Sequence, residues 1–392
     1  MHTKSLLNRR RALYLGLASF AGAGAVGCGK ILSQSQQLQA VYDPKRDFTV
    51  TGGASLKERA AAKGLIFGSA ARYIDLSSNP EFAASFAKEC GMLVPEWELK
   101  FGALRPSPKR FDFSQGDGLV EFAQRNNMLF RGHTLVWGQF MPDWFKNTVN
   151  GANAEELLIN HIKTVAGHYA GKVHSWDVVN EVVDPSHGRA DGLAKTPWLE
   201  FIGPDYIDLA FRVAREADPK AMLVLNDAGF EYDTREDEGK REARRVYMLK
   251  LLERLKSKGT PVQALGIQAH LEGITTGFNP KKLTNFLRDV ASLGLKIQIT
   301  ELDVIDQKLP LDINVRDRIV AGVYEDYLSL VLSEPAVIAV LTWGLSDRST
   351  WHSQYNARDD KAAVRPLPLD EQLKRKLAWN AIARAFDKAP KR

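Results

Sequence analysis

Eight apolar runs of strand length lie along this chain, and the first seven are each followed by a loop and then by an amphipathic helical stretch. No other feature limits its possible folds as severely. The strand-like runs cover 65–71, 92–99, 129–137, 174–181, 222–227, 264–270, 296–303 and 337–343. Helical patterns lie between them, at 80–90, 118–126, 154–169, 206–217, 241–258, 280–293 and 316–333. Breakers such as Asn127, Gly171, Asp218-Pro219, Gly259 and Gly294 punctuate the helix-to-strand turns. Strands separated by helices pair in parallel, and right-handed crossovers close eight of them into a (β/α)8 barrel, an α/β fold. An open doubly wound sheet is the competing arrangement, but no glycine-rich phosphate turn follows the first strand. The reading is one barrel domain over 51–392.

A barrel of this kind carries its active site at the C-terminal ends of the strands. Polar and aromatic residues collect there. The second run ends in Glu96-Trp97-Glu98-Leu99-Lys100, the third in His133 and Trp137, and the fourth in Asn180 and Glu181. The fifth ends in Asn226 and Asp227, the sixth in Gln268 and His270, the seventh in Glu301 and Asp303, and the eighth in Trp343, with Trp351 following. A lone histidine or tryptophan at such a place is most often structural. It is the accumulation at one face that argues for a site.

Two of these ends stand out. Trp176-Asp177-Val178-Val179-Asn180-Glu181 and Ile297-Gln298-Ile299-Thr300-Glu301-Leu302-Asp303 each carry an apolar run to a glutamate. Cleavage of a glycosidic bond needs two carboxyl groups, one protonated to donate to the leaving oxygen and one ionised to attack the sugar or activate water. Strand ends hold such groups more firmly than loops do. The flat C–H faces of sugars pack on tryptophan rings, and their hydroxyls pair with Asn, Gln, Glu and Lys, so Trp137, Trp343 and Trp351 are candidate sugar contacts.

The composition, 44% hydrophobic and 26% charged, is ordinary for a globular protein. The net charge of +6 is misleading as a sign of polyanion binding. Lys4, Arg9, Arg10 and Arg11 supply four of those charges before residue 28, and about +2 remains for the fold. No nucleic-acid partner is expected. The arginines precede a short apolar stretch, Ala12 to Val26, with the flanks of an export signal over 1–28, of twin-arginine type. Ala25-Val26-Gly27-Cys28 resembles a lipoprotein processing site, so Cys28 is a candidate lipid anchor. The expected location is outside the cytoplasm: periplasmic, membrane-anchored or extracellular. Residues 29–50 read as a polar tether. Cys28 and Cys90 are the only cysteines, which leaves no disulfide framework, and Cys90 is expected to pack as a small hydrophobe. No H-E-x-x-H motif is present, and neither metal nor cofactor is expected. The cluster 235–245 reads as a solvated helix start, and the protein as a monomer.

With these residues in view, the chain resembles glycoside hydrolase family 10, the endo-β-1,4-xylanase family, from about Gly64 to Phe386. The resemblance rests on Glu96 with Lys100, His133-Thr134-Leu135-Val136-Trp137, Trp176 to Glu181, Gln268-Ala269-His270, Ile299 to Asp303 and Thr342-Trp343-Gly344. It implies a retaining hydrolase of xylan or xylo-oligosaccharides with no cofactor. Glu181 would be the acid/base and Glu301 the nucleophile. Asn180 would bind the 2-hydroxyl, His270 would bond Glu301, and Asp303 would orient His270. Glu96, Lys100, His133 and Trp137 would line the glycone side, and Gln268, Trp343 and Trp351 would complete the wall. Retention requires the carboxyl groups about 5–5.5 Å apart.

Two departures bear on the substrate. The family usually has Asn after the second-strand Glu, where this chain has Trp97. After the third-strand Trp it usually has His, a small polar residue and Gln, where this chain has Gly138-Gln139-Phe140. Both put aromatic surface where hydrogen-bonding groups are expected. Alternatives are another β-1,4-glycan, transglycosylation through the same intermediate, or a lipoprotein that binds xylan without cleaving it.

Overall fold

The computed structural model describes residues 42–231, 238–274 and 279–392. The expected export segment, Cys28, residues 29–41 of the tether and part of the 235–245 cluster lie outside the described residues.

Nine strands occur among the described residues: β1 Ile66–Ala71, β2 Met92–Pro95, β3 Leu129–Gly132, β4 Ser175–Asn180, β5 Met222–Asp227, β6 Ala264–Ile267, β7 His270–Glu272, β8 Lys296–Ile305 and β9 Val337–Thr342. All pair in parallel. The order runs β6-β5-β4-β3-β2-β1-β9-β8, and a β6–β8 pairing closes the ring. The eight-stranded barrel is therefore as expected. β6 and β7 are two pieces of the sixth run, interrupted at Ala269, whose φ is 64°. The strands are buried along nearly their whole length. This is why they read as continuous apolar runs and not as alternating ones.

The barrel axis is filled by Ala70, Met92, Val94, Ala339, Leu341 and Trp343. A larger apolar layer lies between sheet and helices, and Cys90 is fully buried in it. Local signals start the helices. Asn79 and Asn279 cap Pro80–Glu89 and Pro280–Ser292 by accepting the backbone N–H groups of Phe82 and Lys282, with proline at the first helical position. Several strands stop sooner than the sequence pattern: β2 ends at Pro95 and β3 at Gly132. Beyond these points the chain leaves the sheet to build the C-terminal rim.

Two parts of the fold were not expected from the sequence. Helix Leu377–Lys388 packs against Ile313–Val331 and behind β1, where Phe67 and Phe386 meet edge to face at 5.9 Å. Residues at the end of the expected tether are docked on the barrel. Asn380 donates to the Phe48 carbonyl at 3.0 Å, and Arg46 pairs with Glu325 at 2.9 Å and Asp326 at 2.7 Å. The folded part thus begins before residue 51. Among the described residues no helix is long and apolar enough to cross a membrane.

Candidate active site

The two strands that deliver the glutamates both bulge next to them. In β4 the register against β5 shifts between Asp177 and Val179, and in β8 the register against β9 shifts between Ile299 and Leu302. A bulge re-aims the following side chains and bends the strand. Glu301 sits inside the second bulge, and Glu181 directly follows the strand that carries the first. Glu181 has φ 57°, an uncommon conformation for a residue with a Cβ. The backbone around it is over-determined. The Glu181 N–H donates to Asn226 O at 2.9 Å, and the N–H groups of Val182 and Val183 donate to Asp227 Oδ2 at 3.0 and 2.9 Å.

A chain of amide hydrogen bonds links the two carboxylates. Gln268 Nε2 donates to Glu181 Oε1 at 3.1 Å and lies 3.4 Å from Asn180 Oδ1. Asn226 Nδ2 donates to that same Asn180 oxygen and to Glu301 Oε1, both at 2.8 Å. Thr300 Oγ1 donates to Asn226 Oδ1 at 2.7 Å, which fixes the orientation of the amide. Gly266 is required behind it, since a Cβ there would lie 2.2 Å from Asn226 Oδ1. Asn180 Nδ2 is buried with no partner in the structure, a donor left for a group outside the protein.

Glu301 is buried. Burial alone would raise its pKa, but His270, the positive field of His133 and the Asn226 amide together hold it below the ordinary value. His270 Nε2 lies 3.3 Å from Glu301 Oε2 and its Nδ1 lies 2.9 Å from Asp303 Oδ1. Burial pushes the imidazole down, and the two carboxylates outweigh it and hold its pKa well above the ordinary value. Asp303 also accepts from Trp351 Nε1 at 3.0 Å and meets His352 Nε2 at 2.7 Å. It is held well below the carboxylate range despite burial, by His270 and His352. The chemistry of this side is a carboxylate kept ionised.

Glu181 is half-buried and borders a cavity of about 340 Å³ shared with Trp137, Gly138, Gln139, Thr196 and Arg244. Its Oε2 accepts from Trp137 Nε1 at 2.8 Å and from Gln139 Nε2 at 3.0 Å. Gly138 allows this loop to lie on Thr196, whose Cγ2 would be 2.6 Å from a Cβ.

On the other flank, the Lys100 ammonium lies 4.9 to 5.8 Å from the ring centres of Phe140, Trp137, Trp97 and Trp343. Such contacts stabilise a cation where water is scarce. Burial lowers the Lys100 pKa, against the pull of Glu301, Glu96 and Glu181. Burial pushes Glu96 up to about 7, with Lys100 and Arg72 pulling the other way. Trp97 meets Phe140 edge to face at 5.3 Å and is 41% exposed, so the two departures noted in the sequence form one aromatic rim. His133 is buried below, its Nδ1 2.9 Å from Asp177 Oδ2 and its ring 5.2 Å from Trp343.

The twelve residues to which the family resemblance gave a role therefore belong to one connected site. Two have different immediate partners from those expected. Trp137, expected to line the glycone side, bonds the Glu181 carboxylate. Trp351 bonds Asp303 and packs against His270 at 5.2 Å. For two arginines of the 235–245 cluster the reading is corrected too. Arg244 bonds Val183 O and lies 3.5 Å from Asp227 Oδ1, and Arg245 donates to Phe230 O at 2.9 Å. Both brace the loops after β4 and β5, Arg245 buried and Arg244 partly exposed. Sequence reasoning assigned no role to Asn226, Asp177, Arg131, Gln139 or His352. Asn226 was itself noted at the fifth strand end, and His352 adjoins Trp351. Nothing local marks Arg131, which pairs with Asp177 inside the barrel and donates to Gln298 Oε1 at 2.6 Å. Among the described residues no group of three His, Cys, Asp or Glu side chains is placed to hold a metal ion.

Comparison with known proteins gives consistent matches. The model of glycosyl hydrolase family 10 matches residues 55–385. The chain is 35% identical over 311 residues to endo-1,4-beta-xylanase C of Paenibacillus barcinonensis, covering 72% of this chain and 27% of that protein. It is 36% identical over 325 residues to exoglucanase XynX of Acetivibrio thermocellus, covering 79% and 27%. It thus spans about a quarter of the length of these two relatives. Native xylanase 10B from Thermotoga maritima superimposes with a TM-score of 0.76 at 32% identity, over 86% of this chain and 98% of that one.

Proposed function

The chain belongs to glycosyl hydrolase family 10, and from that premise we propose that it is an endo-1,4-β-xylanase acting with retention. Glu301 attacks the anomeric carbon as Glu181 protonates the leaving oxygen. The glycosidic C–O bond breaks and a glycosyl ester forms on Glu301. Glu181, now ionised, takes a proton from water as that water displaces the sugar from Glu301 and restores the carboxylate. The observation that carries this reading is the unequal setting of two linked carboxylates. Glu301 is buried and kept ionised by His270 and Asn226, while Glu181 opens on a cavity with room for a leaving group. Asn180, with its free buried amide N–H, serves the 2-hydroxyl. Glu96, Lys100 and the aromatic rim take the glycone side.

A second reading, cleavage of another β-1,4-glycan, is favoured by the Trp97–Phe140 pair. It offers stacking surface in place of hydroxyl-specific partners. One assay separates the readings: product release from xylan, with β-1,4-glucan, mannan and galactan in parallel. Xylo-oligosaccharides from xylan alone, abolished in Glu301→Ala, are expected. Cleavage only of another glycan would move the specificity. Cleavage of none would leave a binding role.

The N-terminal arginines and apolar stretch support export, with Cys28 as a lipid anchor. Incorporation of labelled fatty acid, lost in Cys28→Ala, is the expected result. Absence of label from the wild type would leave a released, unanchored product.

A further inference from the structure

We propose that Gln139 is a positioning residue that sets the protonation of Glu181, a deepening of the hydrolase reading above. Gln139 Nε2 lies 3.0 Å from Glu181 Oε2, the same oxygen that accepts from Trp137 Nε1 at 2.8 Å. Both donors line the cavity on which Glu181 opens, and Gln268, which serves Oε1, does not. The oxygen with two N–H donors is thus the one on the side of the leaving group.

The three donors differ in what they can do. An indole N–H only donates, and it favours the carboxylate over the acid. An amide donates through nitrogen and accepts through oxygen. Gln139 is exposed at the cavity mouth, so it is free to rotate. It can therefore donate to the carboxylate and, after an amide flip, accept from the carboxylic acid. Glu181 has to occupy both states in one catalytic cycle, and Gln139 has the chemistry and the freedom to follow it. The loop geometry is specific to this residue: Gly138 seats the segment against Thr196, and Trp198 Nε1 donates to Trp137 O at 2.9 Å.

Other charges face Glu181 and act in both wild type and variants. Lys100 acts from beyond β2 and Asp227 from β5, and Glu301 on β8 is linked to Glu181 through Asn226, Asn180 and Gln268. Asp184, His187 and Lys195 after β4, and Arg244 on Glu238–Ser257, line the cavity. None of them is altered by a change at Gln139, so a shift in the Glu181 titration reports on the amide.

The test is a comparison of wild type, Gln139→Leu and Gln139→Glu. The bond donated to the ionised carboxylate is charge-assisted and stronger than one accepted from the neutral acid, so its loss favours the acid on balance, and the alkaline limb of kcat/KM on xylo-oligosaccharides should move up by about 0.5–1 pH unit in Gln139→Leu. A second carboxylate beside the first should move it further in Gln139→Glu. The pKa of Glu181 should be read in parallel by carbon-13 titration of labelled glutamate, assigned with Glu181→Gln. That measurement needs no turnover. Limbs and titrations that coincide with wild type within 0.2 pH unit, or an equal loss of kcat at every pH with no shift, would overturn the proposal. A wild type that titrates normally but hydrolyses nothing would instead defeat the hydrolase reading and leave the assignment of Gln139 as the setter of the Glu181 pKa to the titration alone.

Discussion

Asn226 is the junction between the two halves of the site, and its replacement by alanine is the most demanding test of the geometry. Asn226→Ala removes a donor to Glu301 Oε1, a donor to Asn180 Oδ1 and the acceptor for Thr300 Oγ1. A hydrogen bond to a charged group contributes about 1.5–3 kcal/mol and a neutral one about 1 kcal/mol. Because the three share one side chain they are not additive, and a loss of about 2–4 kcal/mol in unfolding free energy is expected. Without that donor the Glu301 pKa rises by up to about one unit. The acid limb of kcat/KM should move up with it, and kcat/KM at neutral pH should fall about 10–100-fold, or about 1.4–2.7 kcal/mol of transition-state stabilisation. The folded pKa of Glu301 lies below its ordinary 4.5. Its contribution to stability is therefore complete above 4.5 and lost as pH falls through the folded value. The stability gap between wild type and variant should narrow over that acidic window. Denaturant unfolding at several pH values and a pH–rate profile read both effects. A variant with an unmoved acid limb, a kcat/KM within threefold of wild type and a gap that does not change with pH would refute the linkage of Asn226 to Glu301.

Gly266→Ala would place a Cβ 2.2 Å from Asn226 Oδ1, so kcat/KM should fall at least as far as in Asn226→Ala, with about 2 kcal/mol or more of stability lost; a near-wild-type variant would show that Asn226 tolerates displacement. Asp303→Asn removes the charge that raises the His270 pKa. In wild type the His270 contribution is complete below about 6.5 and is lost as pH rises through its raised folded value, so the alkaline fall in melting temperature should flatten in the variant, and kcat/KM should drop at least tenfold. For Glu96, pushed up to about 7 from 4.5, the sign is opposite. Its ionisation costs stability as pH rises from 4.5 to 7, so Glu96→Gln should match wild type near pH 4 and gain about 1–3 kcal/mol above pH 7. The same change should remove any step in KM near pH 7, measured on xylo-oligosaccharides.

Much of this molecule was legible along the chain. The alternation of buried apolar runs with amphipathic helices imposes parallel strands and a closed barrel, because each strand covered on both faces must be apolar throughout. That in turn places Glu96, His133, Asn180, Glu181, Gln268, His270, Glu301 and Asp303 on one rim. These are consequences of local pattern, and one sequence carries them. The partners of those residues were not legible. Arg131 with Asp177, Asn226 with Glu301, and His352 with Asp303 lie 46, 75 and 49 positions apart. Only the pairing of strands and the packing of the loops on their ends bring such pairs together. The bulges beside Glu181 and Glu301 were also invisible, because a register shift is a property of two strands and not of one. The sequence by itself determined which residue types stand at the mouth of the barrel. The tertiary structure alone decided which of their carboxylates is buried and ionised and which faces an open cavity, because burial and hydrogen-bond partners arise only when distant strands meet.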